Sequence, residues 1–203
     1  MTAFIWDLDG TLIDSYPAIM EALEETYAYF SLGEWQAQRV HELILETSVG
    51  ALLKEQAERH QIPFETLRQF FDKEQTKRDD KIVLLPHARE ILDWASRQGI
   101  TQYMYTHKGA STSQVLNELG IDAYFTEVLT GVSGFKRKPH PQAILYIMDK
   151  YHLNPETTYY IGDRLLDLEV ARAAGIKSIN LSQKTNAFNQ NIKDLSDIKT
   201  ISL

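Results

Sequence analysis

The chain has 203 residues, of which 43% are hydrophobic and 24% charged, a balance that suits one α/β core, or a core with a small accessory domain, and excludes disorder. With 21 Lys and Arg against 28 Asp and Glu, the formal charge of -7 argues against a nucleic-acid-binding face, and zero Cys excludes disulfides and thiol catalysis. The only N-terminal apolar stretch is cut by Asp7 and Asp9 and lacks a preceding basic segment, so neither signal peptide nor membrane span is expected, and the expected compartment is cytoplasmic.

Ala3-Phe4-Ile5-Trp6 is a short, bulky run that predicts a buried strand, and Gly10 is its natural stop. Asp7 and Asp9 therefore fall where strand meets loop, and an alternation of period two predicts that they point to one side. Two carboxylates so close call for a cation, and an oxygen-only donor set favours Mg²⁺ over Zn²⁺. Gly10 also allows a turn in which successive N–H groups, from Leu8 onward, face an anion. Carboxylates, cation and N–H donors together suggest phosphoryl chemistry. Taken alone, an Asp-x-Asp-Gly turn is more often a plain acidic loop, so the rest of the chain decides.

Ser15 is the predicted N-cap of a helix with Pro17 in its first turn and Ile19, Met20, Leu23, Tyr27 and Phe30 on one face. From Glu34 to about Lys77 the pattern stays helical, with breaks at Ser48-Val49-Gly50 and Gln61-Ile62-Pro63. Residues 15–84 thus read as a helical domain inserted into an α/β domain of residues 1–14 and 85–203, with hinges near Ile13-Asp14 and Leu84-Leu85. After Pro86 come a helix carrying Ala88, Ile91, Leu92 and Ala95, then a strand over Gln102–Thr106. A helix with Val115, Leu116 and Leu119, a strand at Phe125–Leu129 and a helix with Ala143, Ile144, Ile147 and Tyr151 follow. Thr158–Ile161 reads as a strand, Leu165–Ala174 as a helix, and Lys177–Leu181 as the final strand. The tail after Lys184 is polar and carries no pattern.

Strands alternating with helices predict a doubly wound parallel sheet, which places ligands at the carboxyl ends of strands near the reversal of strand order. Asp7, Asp9, Thr106 and Asp163 all fall at such ends. Asp7-Leu8-Asp9-Gly10-Thr11, Thr106 after a strand, Lys138 in Lys136-Arg137-Lys138-Pro139, and Gly162-Asp163 with Asp167 one turn on resemble the four motifs of the haloacid dehalogenase superfamily. The resemblance covers nearly the whole chain, including the family's helical cap, and implies a Rossmann-like core acting on a small phosphorylated metabolite. Singly, a Thr ending a strand, a Lys-Pro pair or an Asp before a helix is usually structural; in this order the set is not.

A phosphomonoester dianion repels nucleophiles and leaves as a poor alkoxide, so its cleavage needs charge neutralisation, an aligned nucleophile and a proton donor. The resemblance makes Asp7 the nucleophile and Asp9 the acid and then base, with Lys138 and Thr106 on the phosphoryl oxygens and Leu8 and Gly10 lending backbone donors. Asp7, Asp163 and the backbone carbonyl of Asp9 would hold Mg²⁺, and Asp167 would bind through water or orient Lys138.

His107, Lys108 and His140 flank the motifs and could touch phosphate, although solvated loop positions describe them more simply; His107 is kept as a candidate. Arg137 and Arg164 read as structural or rim charges, and Trp35 and Trp94 as core aromatics. Asp at position 9 sets the chain apart from the family's dehalogenases, which carry Tyr there, and its phosphonate-cleaving members, which carry Ala. Hexose-phosphate mutases tend to have a Gly-Val-Ser-Arg-like cap loop, and Thr47-Ser48-Val49-Gly50-Ala51 lacks the Arg, which favours a hydrolase. A non-catalytic binder would not need the second carboxylate. The helical insert should act as a lid, with Ser48 and Lys54 as candidate substrate contacts. The expected state is a monomer or weak homodimer, with no nucleic-acid or membrane partner.

Overall fold

The computed structural model describes residues 2–202, and the chain divides into two compact units, Met1–Asp14 with Val83–Leu203, and Ser15–Ile82. In chain order the elements are β1 (Ala3–Trp6), β2 (Ile13–Asp14), α1 (Tyr16–Phe30), α2 (Ala37–Glu46), α3 (Val49–His60), α4 (Phe64–Thr76), β3 (Val83–Leu84), α5 (Ala88–Arg97), β4 (Thr101–Tyr105), α6 (Thr112–Glu118), β5 (Glu127–Leu129), α7 (Gln142–Lys150), β6 (Thr158–Gly162), α8 (Leu165–Ala174), β7 (Lys177–Asn180) and β8 (Asn189–Asn191).

Among the described residues the first unit holds a six-stranded sheet in the order β5-β4-β1-β6-β7-β8, with every neighbouring pair parallel. The expected doubly wound sheet is present. Because β1 lies between β4 and β6, winding reverses there, and the carboxyl ends of these three strands frame the crevice where such sheets bind ligands. In register, Trp6 stands beside Met104 and Ile161, so the residues that follow them emerge level with one another.

Alternation along β1 sends its side chains to both faces. Ala3 and Ile5 join Tyr103, Tyr105 and Tyr160 in a core covered by Ala143, Ile144 and Ile147 of α7 and Val170 and Ala171 of α8. Phe4 and Trp6 take the other face, where the Trp6 indole N–H donates to Gln102 Oε1 at 3.1 Å and Gln102 Nε2 donates to the Leu92 carbonyl of α5 at 3.0 Å. Every strand residue of β1 is buried, and each bulky side chain contributes roughly 1.5–3 kcal/mol of hydrophobic burial.

Two sequence expectations need correction. The sheet does not end at β7, because Asn189–Asn191 adds β8 from the tail that carried no pattern, and Ile192, Leu195 and Ile198 behind it are buried. Asn is a poor strand former, so no local signal marked it. Side-chain amides compensate: Asn189 Nδ2 donates to the Gln183 and Lys184 carbonyls, and Asn191 Nδ2 to the Asn180 carbonyl. The strand at Phe125–Leu129 is also shorter than expected, since Asp122–Tyr124 forms a 3₁₀ turn and pairing starts at Glu127. A small ribbon was also unforeseen, for β2 pairs antiparallel with β3, Ile13 opposite Leu84, so the two chain crossings are tied to each other.

The second unit consists of α1 to α4 and a 3₁₀ turn at Asp79–Lys81. Ile19, Leu23 and Tyr27 of α1 pack with Val40, Ile44, Leu53, Leu67 and Phe71, and Met20, Phe30 and Trp35 border this core. Ser15 stands at the N-cap of α1 without a side-chain capping bond, and Ser48 caps α3 by accepting the Ala51 N–H at 3.0 Å. Arg78, just past α4, reaches Glu21 of α1 and Glu74 of α4.

Candidate active site

Asp7 is the first residue beyond β1, and its amide still donates to the Ile161 carbonyl of β6 at 2.8 Å, which fixes its backbone between strands. Its side chain is 2% exposed. After it the chain winds tightly: the Thr11, Leu12 and Ile13 amides all donate to the Leu8 carbonyl, and the Gly10 amide donates to the Ile13 carbonyl. Gly10 has φ 79°, a left-handed conformation that favours glycine, which is why this turn closes so soon after the strand. The Gly10 N–H is thus engaged inside the loop, while the Leu8 N–H makes no hydrogen bond among the described residues.

Lys138 converges on Asp7 from a distant loop. Its Nζ donates to Asp7 Oδ1 at 2.9 Å, to Asp167 Oδ1 at 2.7 Å and to the Tyr160 hydroxyl at 3.0 Å, and its side chain is fully buried. Burial pulls the ammonium towards neutrality, but the Asp167 and Asp7 carboxylates outweigh it, so Lys138 titrates above its ordinary value and stays charged.

The third strand end brings Asp163, whose Oδ1 accepts the Thr11 hydroxyl at 3.2 Å. Asp7, Asp163 and Asp167 each place an oxygen within 4.8 Å of the others. Burial first, then the neighbouring carboxylates, pushes Asp163 up to about 7; burial, partly offset by Lys138, pushes Asp7 up to about 6. Asp7 Oδ2 is buried and accepts no hydrogen bond. Carboxylates that resist ionisation and an acceptor with no donor are what a cation would relieve, so this cluster suits a hard divalent ion. The Asp9 carboxylate is not in the cluster. Period two does not govern Asp7 and Asp9, because β1 stops at Trp6 and both lie in the loop.

Asp167 sits in the first turn of α8 with both oxygens engaged, Oδ1 by Lys138 and Oδ2 by the Arg164 amide at 3.0 Å. The N-cap of α8 is Arg164, so Asp163 is released from that structural task. Gly162 is required by proximity, since a Cβ there would lie 2.4 Å from Asp167 Cγ. Thr106 follows β4, fully buried, with its amide on the Leu129 carbonyl and its hydroxyl accepting the Lys108 N–H at 3.0 Å.

His107 is half-buried, and its Nε2 accepts the Lys138 amide at 2.9 Å, which ties the Thr106 loop to the lysine loop. Lys108 is not a solvated residue, being only 4% exposed; its N–H donates to the Thr106 hydroxyl and its carbonyl accepts the Gly131 N–H. His140 is exposed, as are Arg137 and, in the helical unit, Lys54. Tyr160 and Asn180 had no sequence signal. Both sit in runs that read simply as strand, yet Tyr160 contacts the lysine and Asn180 Nδ2 holds the Arg164 carbonyl at 2.9 Å.

Residues 4–181, which include these strand-end carboxylates and the buried lysine, match the haloacid dehalogenase-like hydrolases. A phosphoglycolate phosphatase of Nitrosococcus oceani is 31% identical over 89% of this chain and 83% of its own length. The chain belongs to the haloacid dehalogenase-like hydrolase family. A hydrolase from Streptococcus pneumoniae TIGR4 overlays with a TM-score of 0.64 at 28% identity, covering 98% of both chains. A Lactobacillus plantarum structure overlays with a TM-score of 0.85 at 19% identity, covering 98% of this chain and 99% of its own, a likeness of fold alone. Within the family this chain is a phosphatase-type enzyme with a Rossmann-like core. Among the described residues no helix is long and apolar enough to cross a membrane.

Proposed function

We propose that the enzyme hydrolyses a small phosphorylated metabolite, phosphoglycolate- or sugar-phosphate-like, through an aspartyl phosphate on Asp7. The observation that carries this reading is the buried Lys138 bound at once to Asp7 and Asp167 at the reversal point of the sheet. Such a lysine neutralises the nucleophile's surroundings without blocking Oδ2 of Asp7.

Asp7 attacks phosphorus, the bond to the leaving oxygen breaks, and that oxygen takes a proton from Asp9. Water then gives its proton to Asp9 and attacks the phosphoryl group, releasing phosphate and restoring the Asp7 carboxylate. Lys138, the Thr106 hydroxyl and the Leu8 amide carry the phosphoryl oxygens. Gly10 serves the turn, and His107 contributes through the Lys138 amide it holds. Mg²⁺, held by Asp7, Asp163 and the Asp9 carbonyl, would supply charge for the phosphoryl dianion. Asp167 acts on Lys138. We assign substrate selection to the helical unit, with Ser48 and Lys54 as its candidate contacts.

The test is release of phosphate from para-nitrophenyl phosphate and from a panel of phosphorylated metabolites, with Mg²⁺ and with excess chelator. Asp7→Asn should abolish turnover. Asp9→Asn should lose most on esters with poor leaving groups and least on para-nitrophenyl phosphate. Full activity in chelator would remove the metal from the mechanism, and a uniform loss across leaving groups would remove Asp9 as the acid.

A further inference from the structure

An ammonium has three hydrogens to donate, and those of Lys138 are all accounted for: two on carboxylates, Asp7 and Asp167, and the third on the neutral hydroxyl of Tyr160. Tyr160 lies on β6 and is fully buried, and its own hydroxyl hydrogen goes to the Tyr105 carbonyl on β4 at 2.7 Å. Because β1 runs between these two strands, that hydroxyl passes beneath the strand that delivers Asp7. The direction of every bond is therefore fixed. Lys138 donates to Tyr160, Tyr160 donates to Tyr105, and only lone pairs of the tyrosine oxygen face the ammonium. The rings add a second restraint, with Nζ 5.4 Å from the Tyr160 centroid and 5.6 Å from that of Tyr105.

The three acceptors are not equivalent during the reaction. Asp7 is the group that receives the phosphoryl, so the bond from Lys138 to Asp7 is the one that must pass to a phosphoryl oxygen. The other two must then hold Nζ in place. Asp167 is anchored through the Arg164 amide, and Tyr160 through the Tyr105 carbonyl. We propose that Tyr160 is a positioning residue of the phosphatase, its hydroxyl being the fixed neutral acceptor that keeps the Lys138 ammonium aimed while the bond to Asp7 is exchanged for one to the phosphoryl group. This inference rests on the phosphatase reading above.

A hydroxyl in this role does what a third carboxylate could not. It satisfies the third hydrogen without cancelling the positive charge that the phosphoryl oxygens need. Its loss leaves a buried ammonium hydrogen without a partner and lets Nζ shift towards the carboxylates, which weakens its contact with the transition state more than with bound substrate.

Tyr160→Phe keeps the ring and removes only the acceptor. Hydrolysis of para-nitrophenyl phosphate by this variant should show kcat lowered roughly 10- to 100-fold, the range for losing a hydrogen bond to a charged group, with KM nearly unchanged. Tyr159→Phe, the same change one residue earlier on the opposite face of β6, should retain wild-type kcat. A merely structural tyrosine would lower stability without that split. Wild-type kcat in Tyr160→Phe, or a rise in KM with kcat unchanged, overturns the positioning role while leaving the phosphatase reading intact. An inert wild-type enzyme overturns both. If Tyr160→Phe does not fold, 3-fluorotyrosine at position 160 weakens the acceptor while keeping the hydroxyl, and kcat must then fall with KM held; an unchanged kcat rejects the proposal.

Discussion

Lys138 and Asp7 stand 131 residues apart in the chain and meet through a 2.9 Å hydrogen bond, with side chains 0% and 2% exposed. A charged pair so far from water is held by geometry, and removing one partner leaves the other, together with Asp167, as uncompensated buried charge. Lys138→Met should therefore destabilise the fold by about 3–5 kcal/mol in urea denaturation and abolish turnover. The stability loss should deepen as pH rises, because Asp7 already titrates at about 6 and without the lysine can remain comfortably buried only when protonated. A Lys138→Met protein as stable at pH 8 as at pH 5 would contradict this account.

Gly162 touches the same network from below. A methyl group there would lie 2.4 Å from Asp167 Cγ, a distance no structure tolerates, so either the strand end or Asp167 must move. Gly162→Ala should cost about 1–3 kcal/mol by overpacking and should lower kcat through displacement of the Lys138 acceptor. Melting curves and kcat measured together would show the activity loss exceeding what the shift in Tm explains; loss of stability alone would mean that Asp167 adapts.

A pH-dependent contribution to stability is expected away from the site, where His87 meets Glu90 at 2.7 Å and Asp194 at 3.8 Å, and Lys199 pairs with Glu90. The hydrogen bond to Glu90 and the nearby Asp194 raise His87 above its ordinary 6.5, so its contribution is complete below about 6.5 and is lost as pH rises through the raised value. Lys199 and His87 lower Glu90 from 4.5 to about 2, so its contribution is complete above 4.5 and is lost as pH falls towards 2. The stability difference between wild type and His87→Ala should peak between about 4.5 and 6.5 and shrink by pH 8. A flat difference across that range would reject the coupling.

Ser48 and Lys54 make separable predictions. Ser48 caps α3 through its bond to the Ala51 amide, so Ser48→Ala should cost about 0.5–2 kcal/mol whatever the substrate. Lys54 is exposed and forms no ion pair among the described residues, so Lys54→Ala should leave stability unchanged. If the helical unit selects substrate through these residues, kcat/KM should fall strongly on the preferred metabolite and little on para-nitrophenyl phosphate. Equal effects on both esters would confine Ser48 to its capping role.

Local pattern was enough for the elements that carry the site. The apolar run before Asp7, the strand before Thr106, and the helix at Leu165–Ala174 bounded by Gly175 were legible because hydrophobic periodicity and glycine stops are properties of neighbouring residues. Motif order then gathered Asp7, Thr106, Lys138 and Asp163 without any knowledge of distance. Three things needed tertiary structure. Asn189–Asn191 is a strand only because β7 offers its edge and buried amides hold the loop. Gathering the carboxylates of Asp7, Asp163 and Asp167, rather than that of Asp9, depends on where β1 stops and on how α8 starts. Tyr160 becomes a partner of Lys138 only because β6 and β4 flank β1, which puts its hydroxyl between a lysine and a carbonyl that are respectively 22 residues before it and 55 residues before it in the chain. Propensity speaks for a residue and its neighbours, whereas hydrogen-bond partners across a sheet are set by strand order, which no local pattern contains.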